Sequence, residues 1–221
     1  MTTARPAAFF RLEGTLVARP TLAAAAWLAA NAWRVRERVV RLGATAAALP
    51  LAFGPLQDHA LANRVAWAGL RGVSADRLHV LGEEYAERFL CGATDPAAAR
   101  LLRECGEQGF VTVLVTDNLD VVARPVADHL GIDVLVSNRL ELREGRATGR
   151  LADPVLGAHL DGAWARRLAE EHGLDLRSSR AYGAREADSV LLGAVGNPCT
   201  VHPDRRLRRI ARQLDWPIVE A

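Results

Sequence analysis

The side chains best suited to chemistry gather at a few points along the chain. The first is the stretch Ala7-Ala8-Phe9-Phe10-Arg11-Leu12-Glu13-Gly14-Thr15-Leu16-Val17. An apolar run ends at Arg11, charge returns two residues later at Glu13, and a Gly-Thr turn closes the stretch. A period of two puts Arg11 and Glu13 on the same side of an extended segment. At the carboxyl end of a parallel strand, that side faces the crevice where α/β proteins hold ligands. A guanidinium there is a permanently charged fork that fits a carboxylate or phosphate. A carboxylate beside it could transfer protons. The second point is Thr116-Asp117-Asn118, directly after the β-branched run from Phe110 to Val115. Amides at the start of a helix suit an anion, while Asp117 brings a like charge to the same place. The third is Tyr182-Gly183-Ala184-Arg185-Glu186-Ala187-Asp188, with carboxylates at its end. His159 and Asp161 are one His and one Asp in a polar linker, too few for a metal-ligand set.

These points need a scaffold, and composition bounds it. Half of the 221 residues are hydrophobic and 24% are charged, enough apolar mass for one domain or one domain with an inserted cap. A net charge of +2 makes no electrostatic case for nucleic acid. Every basic residue is Arg, so no lysine ammonium can serve a site. Cys91, Cys105 and Cys199 are scattered without a CxxC spacing, which fits reduced thiols and a cytoplasmic location. No signal peptide is visible, since the leading segment runs straight into a strand. No apolar run reaches the roughly 18 residues of a membrane span. The nearest, Thr21 to Trp33, is cut by Arg34, Arg36 and Arg38.

In chain order, the first strand precedes a helical region from Thr21 to about Leu90. Thr21 to Ala48 reads as one long or broken helix stopped by Pro50. A second helix opens at Gly54-Pro55 and ends at Gly72. Ser74 caps a third, Ala75 to Leu90. Asp95-Pro96 opens a helix ending at Gly109, and Phe110 to Val115 is a buried parallel strand. Leu119 to Leu130 reads as a helix, Ile132 to Val136 as a strand, and Asn138 to Leu151 as a hairpin turning at Gly145. Asp161 to His172 is a helix, Ser179 to Tyr182 a strand and Asp188 to Val195 a helix. Cys199 to His202 is the last core strand and Pro203 to Leu214 the last helix. Such alternation implies an α/β fold with a doubly wound parallel sheet.

The first stretch resembles the opening motif of the haloacid dehalogenase-like (HAD) phosphatases, apolar-apolar-Asp-x-Asp-Gly-Thr-Leu, matching from Phe9 to Leu16. Two further stretches resemble that family's phosphoserine phosphatase-like branch: the hairpin segment Ala147-Thr148-Gly149-Arg150, and the tail Ala194-Val195-Gly196-Asn197-Pro198 through Trp216-Pro217. The resemblance implies a Rossmannoid core at 1–18 and 92–221 with a helical cap at 19–91. It also implies an aspartyl-phosphate mechanism assisted by Mg²⁺. Carried over by position, Arg11 takes the place of the nucleophilic aspartate and Glu13 that of the acid/base aspartate. Thr116 is the Ser/Thr of the second motif, with Asp117 and Asn118 beside it as ligand-binding positions. Asp161 falls where the family has its lysine. Ala184 replaces one metal-ligand aspartate, Asp188 keeps the other, and Glu186 lies between them as a substitute.

A protonated guanidinium has no usable lone pair, so Arg11 cannot form an acyl-phosphate. The expectation is a HAD-like protein that has lost aspartyl-phosphatase chemistry and uses its cleft for binding or regulation. No cofactor is then needed. Its partner would be a small phosphorylated or acidic ligand, or another protein. Arg11 is expected to pair with Asp188, Glu13 or Asp161 and so stand in for the metal. Two other readings stay open. One is a phosphomonoesterase that uses Mg²⁺ and rearranged residues, with Asp117, Asp120 or Glu13 as stand-ins. The other is a lipid-surface module formed by Trp27, Trp33 and Trp67 with Arg34, Arg36, Arg38 and Arg41, against which stands an ordinary inter-helix core.

Overall fold

The run Ala7-Ala8-Phe9-Phe10-Arg11 forms strand β1, buried along its whole length (Ala7–Arg11). The computed structural model describes residues 4–31, 42–43, 46–50, 59–156 and 162–220. β1 is central. It pairs in parallel with β2 (Val111–Leu119) on one side and β6 (Arg180–Gly183) on the other. The six-stranded sheet is completed by β3 (Val134–Asn138), β7 (Asn197–Val201) and β8 (Ile218–Val219), in the order β3-β2-β1-β6-β7-β8. Every pairing in it is parallel. With helices on both faces, this is the α/β architecture expected of alternating strands and helices.

The two faces of β1 feed two separate cores. Ala8, Phe10 and Leu12 belong to one, together with Leu114, Val122 and Tyr182. Ala7 and Phe9 belong to the other, with Val113, Leu168 and Leu192. This follows from the two-residue period of a strand. Phe10 stacks on Tyr182 with ring centroids 4.4 Å apart, so the first core is also tied across the β1–β6 seam.

Between β1 and β2 lie α1 (Thr21–Ala30), α2 (His59–Ala68), α3 (Ala75–Phe89) and α4 (Pro96–Glu107). The caps follow the sequence: Ser74 accepts from the amide of Arg77, and Asp95 accepts from that of Ala98 with Pro96 in the first turn. After β2 come α5 (Asp120–Leu130), the hairpin β4 (Leu140–Arg143) and β5 (Arg146–Leu151), and α6 (Gly162–His172). A 3-10 turn (Glu186–Asp188), α7 (Ser189–Gly193) and α8 (Arg205–Gln213) complete the chain.

Several boundaries differ from expectation. Leu119 extends β2 rather than opening the helix, because β2 resumes pairing with β3 after a register shift beyond Val115. Residues 46–50 are helical with Pro50 included. A proline removes one N–H bond without forcing the chain out of a helix, as Pro125 inside α5 also shows. The start expected at Gly54-Pro55 lies outside the described residues. α2 stops at Ala68, leaving Leu70 in the following turn. The helix expected from Asp188 begins as the 3-10 turn. β8 had no signal beyond its two apolar residues. The aromatic cluster expected to face lipid is interior where described. Trp67 is fully buried, and Trp27 packs on Tyr85 and Phe89. Trp33, Arg34, Arg36, Arg38 and Arg41 lie outside the described residues. No described helix is long and apolar enough to cross a membrane.

α3 meets α5 at Gly82. A Cβ there would lie 2.2 Å from the Val121 carbonyl oxygen, so only glycine permits the approach. Gly82→Ala should therefore push α3 off α5 and lower stability by about 1–3 kcal/mol. Phe10→Ala should lower it by about 3–5 kcal/mol. Both are read from urea unfolding midpoints.

Candidate functional site

Arg11 ends β1 at the carboxyl edge of the sheet and is 5% exposed. Three carboxylates converge on it. Its Nη2 donates to Asp117 Oδ1 at 3.1 Å and lies 3.6 Å from Glu13 Oε2. Its Nε lies 3.1 Å from Asp188 Oδ1, close enough for an ion pair, although the N–H is not aligned for a hydrogen bond. All four groups are buried.

Each partner is held by its own local structure. Gly14, with φ of +88°, turns the chain after Glu13 and leaves room for the Arg185 side chain, whose Nε a Cβ would meet at 2.9 Å. Glu13 Oε1 accepts three hydrogen bonds: from Thr116 Oγ1 at 2.5 Å, Asn118 Nδ2 at 2.8 Å and Thr21 Oγ1 at 3.1 Å. Thr116 and Asn118 come from the stretch of β2 beyond the register shift. Thr21 is the first residue of α1, so one oxygen joins the core to the helices that follow β1. Asp188 Oδ2 accepts from the amides of Ala184 and Arg185, both at 2.9 Å, as the chain leaves β6. Asn138, at the end of β3, donates to the Asp117 and Leu156 carbonyls and accepts from the Leu156 amide. That fixes the backbone on which Asp117 stands.

The electrostatics follow from burial. Loss of water raises the Glu13 pKa above its ordinary value; Arg11 opposes the rise and Asp117 adds to it. Asp188 is raised by the same loss of water, against Arg11 and the two amides. For Arg11, burial works to lower the pKa, but Asp117, Asp188 and Glu13 overcome it and the guanidinium is held more tightly protonated than usual. Fully ionised, the cluster carries three negative charges against one positive. Glu13 Oε2, Asn118 Oδ1 and Thr15 Oγ1 are buried without a hydrogen-bond partner.

Thr116, Asp117, Asn118, Arg11, Glu13 and Asp188 are therefore together. Asp161 lies outside the described residues. Glu186, expected as a substitute metal ligand, is not in the cluster: its carboxylate pairs with Arg206 at 2.9 Å on the surface, because the 3-10 turn points it outward. Asp120 lines an outer groove with Arg124 and Arg139, its Oδ1 accepting from the amide of Val121. Thr21 and Asn138 were not singled out from sequence. Their signals were slight: a hydroxyl at a helix start, and an amide at the end of a parallel strand.

Mg²⁺, which the resemblance brings with it, does not fit this donor set. Both oxygens of Asp188 are committed, one to two amides and one to the guanidinium. An ion between Asp188 and Asp117 would sit within a few ångströms of a fixed positive charge. No group of three or more His, Cys, Asp or Glu able to hold a metal occurs among the described residues.

A parallel sheet in the order seen here, with helices inserted after its first strand and charge at its carboxyl edge, defines a Rossmannoid α/β domain. The sequence pattern of haloacid dehalogenase-like hydrolases matches residues 8–192, and the chain belongs to that family. It is 30% identical over 227 residues to a probable phosphatase of Mycobacterium tuberculosis, covering 98% of this chain and 75% of that protein. A phosphoserine phosphatase of Polaromonas is 31% identical over 72% of this chain and 66% of its own length. Several relatives are longer: the match spans only 54% of a putative hydrolase of Mycobacterium leprae. Among solved structures, a Bordetella pertussis protein of unknown function has a TM-score of 0.82 at 25% identity, covering 98% of this chain and 99% of that one. A substrate-bound phosphoserine phosphatase has a TM-score of 0.67 at 20% identity over 93% of this chain and 90% of its own, a likeness of fold.

A carboxyl group whose pKa is raised by folding binds its proton more tightly in the native state. Stability is then greatest below the ordinary carboxylate range and falls as pH rises above roughly 4–5. Glu13→Gln should flatten that fall between pH 5 and 8 in a series of thermal melts. Arg11→Met should leave three buried carboxylates without a cation and cost about 3–5 kcal/mol near neutral pH. Unchanged melting of Arg11→Met would show that the cluster does not depend on the guanidinium.

Proposed function

We propose that this HAD-family protein does not hydrolyse phosphomonoesters through an aspartyl-phosphate, and that its cleft serves binding or regulation. One observation carries the reading. The side chain at the attacking position is a guanidinium held between Asp117 and Asp188 at 3.1 Å from each. It offers no electron pair to phosphorus, and it fills the cation's place among the carboxylates. Metal-assisted screening of an incoming phosphate has no counterpart in such a site.

The same contacts bear on the ligand. The guanidinium fork that a phosphorylated or acidic metabolite would use is already engaged. An anion entering the cluster would meet three carboxylates. A protein partner that reads the surface around the closed cleft is the more favourable occupant.

The second reading, a phosphomonoesterase with rearranged residues, is supported by the presence of Thr116, Glu13 and Asp188 together at the sheet edge. It is also supported by relatives named as phosphoserine phosphatases. In that reading Glu13 is the proton-transfer group and Asp188 the retained metal ligand, but no residue has been identified as the nucleophile.

Hydrolysis of an aryl phosphate, with and without Mg²⁺, separates the two. The expected result is no turnover above the buffer rate, unaffected by EDTA and by Asp188→Asn. Mg²⁺-dependent turnover that EDTA and Asp188→Asn both abolish would overturn the proposal.

A further inference from the structure

Two exposed helix faces of opposite sign lie outside the site. α8 carries five arginines in nine residues. The whole chain has a net charge of only +2, so without these five it would be net negative. Leu207 and Ala211 turn inward and are buried. At 3.6 residues per turn, Arg205, Arg209 and Arg212 stand at i, i+4 and i+7, within about 60° of arc on the side away from Leu207. All three are exposed, and none has an acidic partner among the described residues. Their neighbours Arg206 and Arg208 are spoken for by Glu186 and Glu220.

α3 shows the reverse. Asp76, Val80, Glu83 and Glu87 stand at i, i+4, i+7 and i+11, again on one narrow arc, and all are exposed. Val80 is 51% exposed, an aliphatic side chain open to water in the middle of an acidic stripe. Glu83 lies 3.2 Å from His79 Nε2. Asp76 and Glu87 make no ion pair among the described residues. No ion pair joins α3 to α8 within the chain among those residues.

We propose that α8 of one copy docks on α3 of a second copy. Laid antiparallel, Arg205 and Arg209 fall opposite Glu87 and Glu83, since a four-residue step is common to both stripes. Arg212 then falls opposite Val80, within reach of Asp76, and its aliphatic stem covers the valine. The complementarity favours a second copy over other anionic partners. A lipid surface or a nucleic acid would match α8 but leave the matching stripe on α3 without a role. Exposed ion pairs contribute little singly, so the contact is weak, depends on several pairs in register and is screened by salt. A twofold axis would repeat it and close a dimer; otherwise copies would add head to tail.

Sedimentation velocity of the full chain over a concentration series tests this. The unaltered protein should gain mass with concentration at low salt and lose that gain at high salt. Arg205→Glu with Arg209→Glu and Arg212→Glu should weaken association by at least ~10-fold. Glu83→Arg with Glu87→Arg should do the same, and mixing the two variants should restore it. All these positions are exposed, and circular dichroism melts confirm folding. Should either set fail to fold, Arg209→Ala and Glu83→Ala in a double-mutant cycle take its place, and additive effects would then refute the pairing. A monomer at every concentration, association indifferent to both variants, or a mixture that stays monomeric would each overturn the proposal. So would binding to phosphatidylserine vesicles that only the α8 variant loses, without self-association.

Discussion

A buried positive charge must find negative partners, and in this chain that requirement is met at a single side chain. The Arg11 guanidinium draws together three pieces of backbone distant in sequence: the turn after β1, the irregular end of β2 and the exit from β6. Replacing water around four ionised groups is costly, and the cost is offset only when their geometry is mutual. Much of the carboxyl edge can be understood as supports for that geometry. Asn138 braces the backbone at Asp117, two amides grip one oxygen of Asp188, and three donors hold one oxygen of Glu13.

The supports differ in kind. Asp188 is held by main-chain groups that any sequence would present at that bend. Glu13 is held by side chains alone, and one of them, Thr21, opens α1. The core and the helices after β1 therefore share a hydrogen-bond network as well as apolar contacts. Gly82 makes the second close junction, where α3 and the backbone at Val121 touch with no side chain between them. A polar link at one end and a bare backbone approach at the other fix how those helices sit on the sheet.

Much of this was legible in the residues. The period-two placement of Arg11 and Glu13, the β-branched run of β2, and the Asp95-Pro96 and Ser74 caps each rest on local chemistry. Local chemistry survives folding unchanged. What escaped depended on long-range closure. Asn138 looked like the start of a hairpin, because nothing near it in sequence shows that its amide bridges Asp117 and Leu156. Glu186 sat at a promising spacing, but a 3-10 turn rotated it to the surface. Leu119 looked helical because the resumption of strand pairing past the shift is set by β3, not by its neighbours. Recognition of the family motif supplied the strand order that spacing alone could not.

The seating of Arg11 also constrains how this site could change. Exchanging it for an aspartate would bring four acidic groups into one dry space with no counter-charge. A metal able to compensate would still lack the side chain that Ala184 has lost. Each separate step back toward an acid-lined cleft passes through a less stable protein than the one before it. The arrangement behaves as a ratchet: several positions would have to move at once for the old chemistry to be reachable.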